Sequence, residues 1–223
     1  MHRQKSKKIF AYFFLLFVVG SINNSTIREF KFEKIKYIEI LGLNYVNKEQ
    51  IKKDIKDLKL ENIFSINKKD IVNIIKSNPL VESFEIFKKY PSTLYINIKE
   101  TKLIAKINKH GQTFYIGANG KLSTKKFLDE KLPFIFGKPS TEEFLQFKNK
   151  IDQSNFPYED IKNLYFFPSK RWDIELKNKI IIKLPKENIS NSLENIFSFL
   201  NNDNINSIKT IDARVKNQII LND

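Results

Sequence analysis

The sequence predicts an α+β protein: one apolar helix near the start, a compact β-α-α-β-β unit, and a mainly antiparallel β-domain with two helices. Three observations predict it. An uninterrupted uncharged run, Ile9–Gly20, follows a basic tail. Over residues 31–100 the apolar period switches from two to helical spacing and back to two. From residue 101 to 223, short alternating runs broken by turn residues dominate, with only two stretches at helical spacing.

The apolar run comes first. Residues 1–8 carry Arg3, Lys5, Lys7 and Lys8 and no acid, and the segment 9–24 carries no charge at all. Counted to Ile22 it is about 14 residues, shorter than the ~17–25 of a usual spanning helix. Two readings fit. It is either a cleaved signal peptide, with Val18-Val19-Gly20-Ser21 at its end, or a signal anchor lengthened by the uncharged residues to Thr26. The anchor is preferred: four phenylalanines and a tyrosine fill the run, and no small-residue cleavage pair stands out. A core helix would show a polar face, and this run has none. Basic residues ahead of it place the N-terminus in the cytoplasm and the bulk of the chain outside, under either reading.

Composition narrows the rest. Of 223 residues, 41% are hydrophobic, so a packed core is expected, and the absence of cysteine leaves that core without disulfide support. The net charge of +14 suggests an anionic partner, but its carriers are almost all lysine. Only Arg3, Arg28, Arg171 and Arg214 offer the planar fork that suits base reading and phosphate clamping, and they are dispersed. Solvated lysine faces are the expectation, an anionic surface the alternative, and no nucleic acid is expected as a partner.

In the first unit, Lys36–Leu41 alternates as a half-buried strand and Gly42 closes it. Ile51, Ile55 and Leu58 make one face of a helix that Asn47 would cap, with Gln50 completing a capping box. A second helix follows Asn67, with Ile71, Ile74 and Ile75 inward, and Pro79 prevents its continuation. Val81–Lys89 and Thr93–Glu100 then form a hairpin around Tyr90-Pro91-Ser92; Leu94, Ile96 and Ile98 share one face.

In the second unit, Leu103–Ile107 and Phe114–Ile116 read as strands around Asn108–Gly111, and Gly117–Gly120 is a turn. Phe144, Leu145, Phe147, Lys148 and Ile151 mark a helix. Leu164–Phe167, Trp172–Leu176 and Ile180–Leu184 form a meander, with Asn178-Lys179 turning the last pair. A helix over 190–200 buries Leu193, Ile196, Phe197 and Leu200, and Ile208–Arg214 and Gln218–Leu221 close the chain. Trp172 is expected in the core.

Several of these stretches carry a resemblance. Ile38-Glu-Ile-Leu-Gly42, Asn62-Ile-Phe-Ser-Ile66, Asn78-Pro-Leu-Val81 and Lys89-Tyr-Pro-Ser-Thr-Leu94, followed by Ile96, Ile98 and Glu100, resemble a POTRA domain. More narrowly they resemble that of the bacterial division protein family FtsQ, called DivIB in Gram-positives, and the likeness runs over essentially the whole chain. Leu132-Pro133 and Gly137 resemble a Leu-Pro…Gly step in that family. It implies a cytoplasmic tail, a single transmembrane helix, a POTRA domain at 31–100 and a C-terminal β-domain at 101–223. It further implies a single-pass inner-membrane protein, its bulk periplasmic, concentrated at the division site. The chain departs from the family pattern at Glu100–Leu103, which lacks an Arg and a Pro, at Gly117 where an aspartate is usual, and at Lys179 where a glycine is usual.

No catalytic constellation is legible, and no cofactor is expected. His2 and His110 are far apart in sequence, cysteine is absent, and neither a phosphate loop nor a nucleophile elbow occurs. Asp152, Glu159 and Asp160 read as surface charge. Function is therefore expected to be binding, and a sheet edge is the simplest place for it. The strand Gln218-Ile219-Ile220-Leu221 is expected at such an edge, although an interior strand also fits its apolar run. The family resemblance places the site for an FtsB-like partner, itself paired with an FtsL-like one, on the terminal hairpin. The family's Asp-Leu-Arg motif there falls on Asp212, Ala213 and Arg214, and its contact positions on Val215, Asn217 and Gln218; Ile219, Ile220 and Leu221 join them as the expected edge strand, and Arg214 is alternatively ion-paired to Asp212 or Glu175. An FtsK-like upstream partner would use the POTRA half, where Val81–Lys89 is a plausible edge. The competing reading is a POTRA-bearing component of an outer-membrane assembly or secretion system, for which a following series of barrel strands would be expected; a secreted lysine-rich protein is a further alternative.

Overall fold

The computed structural model describes residues 3–22, 34–43, 45–57, 63, 66–124, 131–202, 208–215 and 218–222. Helix α1 (Arg3–Ile22) is continuous over 20 residues, and its Phe10, Phe13, Phe14 and Phe17 are all more than two-thirds exposed. No described helix is long and apolar enough to cross a membrane. The span expected over 9–24 is thus not met by the described residues. Lys5, Lys7 and Lys8 take up the first two turns of α1 and leave about 14 uncharged residues, against ~20 for a spanning helix. Asn23 and Asn24 lie outside the described residues.

The first unit has the expected order: β1 (Tyr37–Leu41), α2 (Tyr45–Asp57), α3 (Lys68–Ser77), β2 (Val81–Lys89) and β3 (Thr93–Glu100). Its sheet runs β1-β3-β2, with β1 parallel and β2 antiparallel to β3. Leu94, Ile96 and Ile98 are at most 1% exposed and pack with Ile38 and Ile40 against Ile51 and Ile55 of α2 and Ile71 and Ile75 of α3. Each buried aliphatic side chain contributes about 1.5–3 kcal/mol, which fastens two helices too short to persist alone.

The helix ends differ in how well they were anticipated. Asn67 caps α3, accepting from the Lys69 amide at 3.1 Å. At α2 the expectation fails: the helix begins at Tyr45, so Asn47 lies inside its first turn and not at the cap. Gln50 is not part of a capping box; its amide donates to Asp54 one turn on, at 2.8 Å. Leu58 lies outside the described residues.

The second unit contains β4 (Leu103–Lys109), β5 (Gln112–Gly117), β6 (Leu122–Ser123), β7 (Phe134–Phe136), α4 (Thr141–Asp152), β8 (Ile161–Phe166), β9 (Trp172–Leu176), β10 (Ile181–Lys183), α5 (Ile189–Asn202), β11 (Thr210–Asp212) and β12 (Ile220–Asn222). They form a nine-stranded sheet in the order β12-β11-β10-β9-β8-β7-β4-β5-β6. Strand pairs are antiparallel except β4–β7, β7–β8 and β10–β11. Sequence reading missed β7. Its Ile135 is buried between β4 and β8, and Gly137, at φ +99°, ends it where a Cβ would lie 2.3 Å from the Phe166 carbonyl oxygen.

Both α4 and α5 cover one face of this sheet. Phe144, Phe147 and Ile151 of α4 and Leu193 and Ile196 of α5 pack in one core with Ile107, Ile135, Leu164, Ile174, Ile182 and Ile211. Ser140 and Glu143 form a reciprocal capping box that sets the start of α4. Trp172 is buried, its ring stacked on Phe147 with centroids 4.5 Å apart.

The two units are joined through the turn after β5. The Asn119 carboxamide donates to the carbonyls of Pro79 and Val81 at 3.0 and 2.9 Å, while its amide donates to Thr101 Oγ1 at 3.2 Å. Thr101 in turn donates its amide to the Leu80 carbonyl at 2.8 Å. This cluster accounts for Gly117: a Cβ there would lie 2.6 Å from Asn119 Oδ1 and 2.8 Å from Thr101 Cγ2, so a side chain would push both out of place. Lys121 Nζ also donates to the Lys76 carbonyl at 2.7 Å. The β6 edge of the large sheet therefore lies beside the first unit.

Candidate functional site at the sheet edge

At the opposite edge, β12 is the outermost described strand. It pairs antiparallel with β11 in the register Thr210↔Asn222, Ile211↔Leu221 and Asp212↔Ile220. Alternate backbone groups of such a strand point away from its one neighbour. Ile211 is fully buried, so Leu221 opposite it lies on the helix-covered face, and Ile220 lies on the other. Both are exposed, at 41% and 44%. Pairing is three residues long on each side of β11.

Before β12 the chain turns, with the Gln218 amide donating to the Val215 carbonyl at 3.2 Å. Arg214, Val215, Gln218 and Ile219 line one groove of about 510 Å³ together with Pro185, ahead of α5, and Asn191 in its first turn. Of the residues expected at the site, these four surround the groove, and Ile220 and Leu221 lie on the strand leading from it. Asn217 lies outside the described residues. Ile219 is half-buried against the core and Val215 is 47% exposed. The alternative pairings of Arg214 resolve to Asp212: Nε donates to Oδ1 at 2.8 Å and Oδ2 at 3.0 Å. Those hydrogen bonds hold the Asp212 carboxyl below its ordinary pKa and raise that of Arg214. The pairing fixes the guanidinium at the groove wall while leaving it half-exposed.

Glu175 is engaged elsewhere, accepting from Asn163, Tyr165 and Lys162 at 2.8, 2.7 and 2.9 Å. These bonds, that from Asn163 foremost, bring its carboxyl down to about 2. Sequence reasoning missed the groove's α5 side. The signal was present in Asn188, Asn191 and Asn195, an amide row at helical spacing beside the apolar row of Leu193 and Ile196.

Among the described residues no group of three or more His, Cys, Asp or Glu is placed to hold a metal ion. Asp152 is ion-paired with Lys148, and Glu159 and Asp160 are exposed. The buried Tyr158 hydroxyl donates to the Ile104 carbonyl at 2.7 Å, and burial raises its pKa far above the ordinary range, so it has no accessible proton chemistry.

Comparison with known proteins agrees with this architecture. The sequence model of the FtsQ-type POTRA domain matches residues 33–101, and that of the C-terminal region of cell division protein FtsQ/DivIB matches residues 98–214. The chain belongs to the FtsQ/DivIB family of cell division proteins. Cell division protein DivIB of Staphylococcus aureus (strain NCTC 8325 / PS 47) is 34% identical over 89 residues, 40% of this chain and 20% of that one. Cell division protein FtsQ of Rickettsia bellii (strain RML369-C) is 26% identical over 190 residues, 83% of this chain and 70% of that one. The match thus spans a fifth of the Staphylococcus DivIB and most of the Rickettsia FtsQ. Among solved structures, the major extracytoplasmic domain of DivIB from Geobacillus stearothermophilus aligns over 43% of this chain and 87% of its own at 13% identity, with a TM-score of 0.33, too loose a fit to carry an argument. The family match ends at Arg214, so β12 and most of the groove's β12 side lie beyond it.

Proposed function

We propose that the chain is a non-enzymatic scaffold of the bacterial division machinery that binds its partner by strand addition to β12. The observation that carries the reading is an outer edge, unpaired among the described residues, that bears exposed Ile220 and Leu221 next to a groove walled by Arg214 and Val215. Backbone pairing along β12 supplies affinity, and the groove reads side chains of the segment entering beside it. The partner is an FtsB-like protein, itself paired with an FtsL-like one. The POTRA half, whose β2 is an outer strand, receives an FtsK-like upstream partner. Helix α1 serves as a single-pass inner-membrane anchor with its basic end in the cytoplasm, its short apolar run accommodated by local bilayer thinning and lysine snorkelling. The bulk is periplasmic and gathers at the division site.

The test is a titration of the full chain with the purified FtsB-like/FtsL-like pair, comparing the parent with Ile220→Pro and Ile220→Lys. Ile219 is the poorer target because it packs on the core. An acidic residue at 220 would face Asp212 across the hairpin and disturb folding for an unrelated reason. The expected result is at least about a hundredfold weaker binding, or about 2.7 kcal/mol, at unchanged melting temperature. Unchanged affinity in both variants would sink the edge reading.

A further inference from the structure

The edge site makes no use of the lysine excess, nor of an aromatic cluster at one end of the first sheet. We propose that this end, formed by the start of β1 and the β2–β3 hairpin, docks on an anionic phospholipid bilayer. The proposal rests on the reading of α1 as a membrane anchor. The amides of Lys36 and Tyr37 both donate to the Ser92 carbonyl, at 2.9 and 3.4 Å, so the entry to β1 is tied to the hairpin turn. Tyr37, Thr93 and Lys89 stand side by side in one row across the three strands. Around them, Tyr37 is 62%, Tyr90 60% and Phe87 50% exposed, and the Phe87 ring lies 6.4 Å from that of Tyr95.

Charge is sorted along the same strands. Lys34, Lys36 and Lys89 are exposed at the hairpin end. The acids of this helix-free face lie further along: Glu39 is level with Tyr95, and Glu85 with Asn97. Glu82 is at the far end, paired with Lys99. Among the described residues, the end row therefore presents cations and aromatic rings without an acid among them. Tyrosine and lysine, each with an apolar body and a polar tip, suit the boundary between headgroups and acyl chains, and basic residues near the surface are drawn to anionic lipid.

Tether length selects the occupant. Eleven residues lie between Ile22, the last of α1, and Lys34, a contour of at most about 43 Å. The surface that α1 engages is thus presented to this end at high effective concentration. A soluble partner gains nothing from that linkage.

The chain has no cysteine, so single introduced cysteines report cleanly. Phe13→Cys in α1, Thr93→Cys at the hairpin and Asn178→Cys in the distant β9–β10 turn would each carry an environment-sensitive fluorophore. The full chain would be reconstituted in phosphatidylcholine vesicles with or without phosphatidylglycerol, with nitroxide-labelled lipid as quencher. The expected result is quenching at 13 in both vesicle types, at 93 only with phosphatidylglycerol, and at 178 in neither. Adding Lys34→Glu and Lys36→Glu should lower the quenching at 93 several-fold. A label at 93 that behaves like that at 178 while 13 is quenched overturns the docking proposal and leaves the anchor standing. An unquenched label at 13 overturns both. A signal at 93 that follows protein density and not lipid charge assigns the surface to a second copy of the chain and overturns the lipid.

Discussion

Asn119 donates a side-chain hydrogen bond to the carbonyl of Val81 at 2.9 Å, reaching from the turn after β5 to the first strand of the POTRA hairpin. With its second bond, to Pro79, and the Thr101–Leu80 bond beside it, this residue joins two sheets that are otherwise separate. Asn119→Ala leaves two carbonyls without their donor. It is expected to cost about 1–3 kcal/mol and to split chemical denaturation into two transitions. Superimposable transitions in far-UV circular dichroism and Trp172 fluorescence would show that the junction is held by other means.

Trp172, the single tryptophan, lies flat on Phe147 in the β-domain core. Phe147→Ala removes that stack and opens a cavity, for an expected loss of about 3–5 kcal/mol and a red shift of native emission. Stability within 1 kcal/mol of the parent, on the order of an exposed substitution, would mean that α4 does not hold the sheet there.

Lys179 adopts φ +73° in the β9–β10 turn, its amide bonded to the Leu176 carbonyl at 2.9 Å. An L-residue is strained in that region and glycine is not. Lys179→Gly should raise stability by about 1 kcal/mol, read as a higher melting temperature. A lower one would show that the Lys179 side chain makes up for the strain.

Glu175 has a folded-state pKa of about 2 against an ordinary value of 4.5. A lowered carboxyl pKa stabilises the fold above the unfolded value, and the contribution is lost as pH falls through the folded one. Glu175→Gln should therefore be less stable than the parent by about 1–2 kcal/mol at neutral pH. The gap should close as pH falls from about 5 toward about 2. A gap constant with pH would place the effect in packing and not in charge.

The POTRA half was legible because β2 and β3 alternate over nine and eight residues and its helices repeat isoleucine at 51, 55, 71 and 75. Strand β7 was not: Phe134-Ile135-Phe136 is too short to show a period, and its partners β4 and β8 are distant and parallel. Asn119 looked like an ordinary turn residue, since what it bonds to is about 40 positions away. At the edge site the apolar run was plain from sequence, but strand order is a property of the whole sheet. Asp212 was one of two candidate partners for Arg214, and only the fold separates them.

The short β12 leaves one seat. A strand has two sides, β11 takes one, and any chain that pairs along the other excludes every other claimant to it. Under the proposed strand addition, loading at β12 would be one partner strand per molecule, whatever the excess of that partner. Self-association through the same backbone groups would compete with complex formation, so crowding many copies together would act against occupancy.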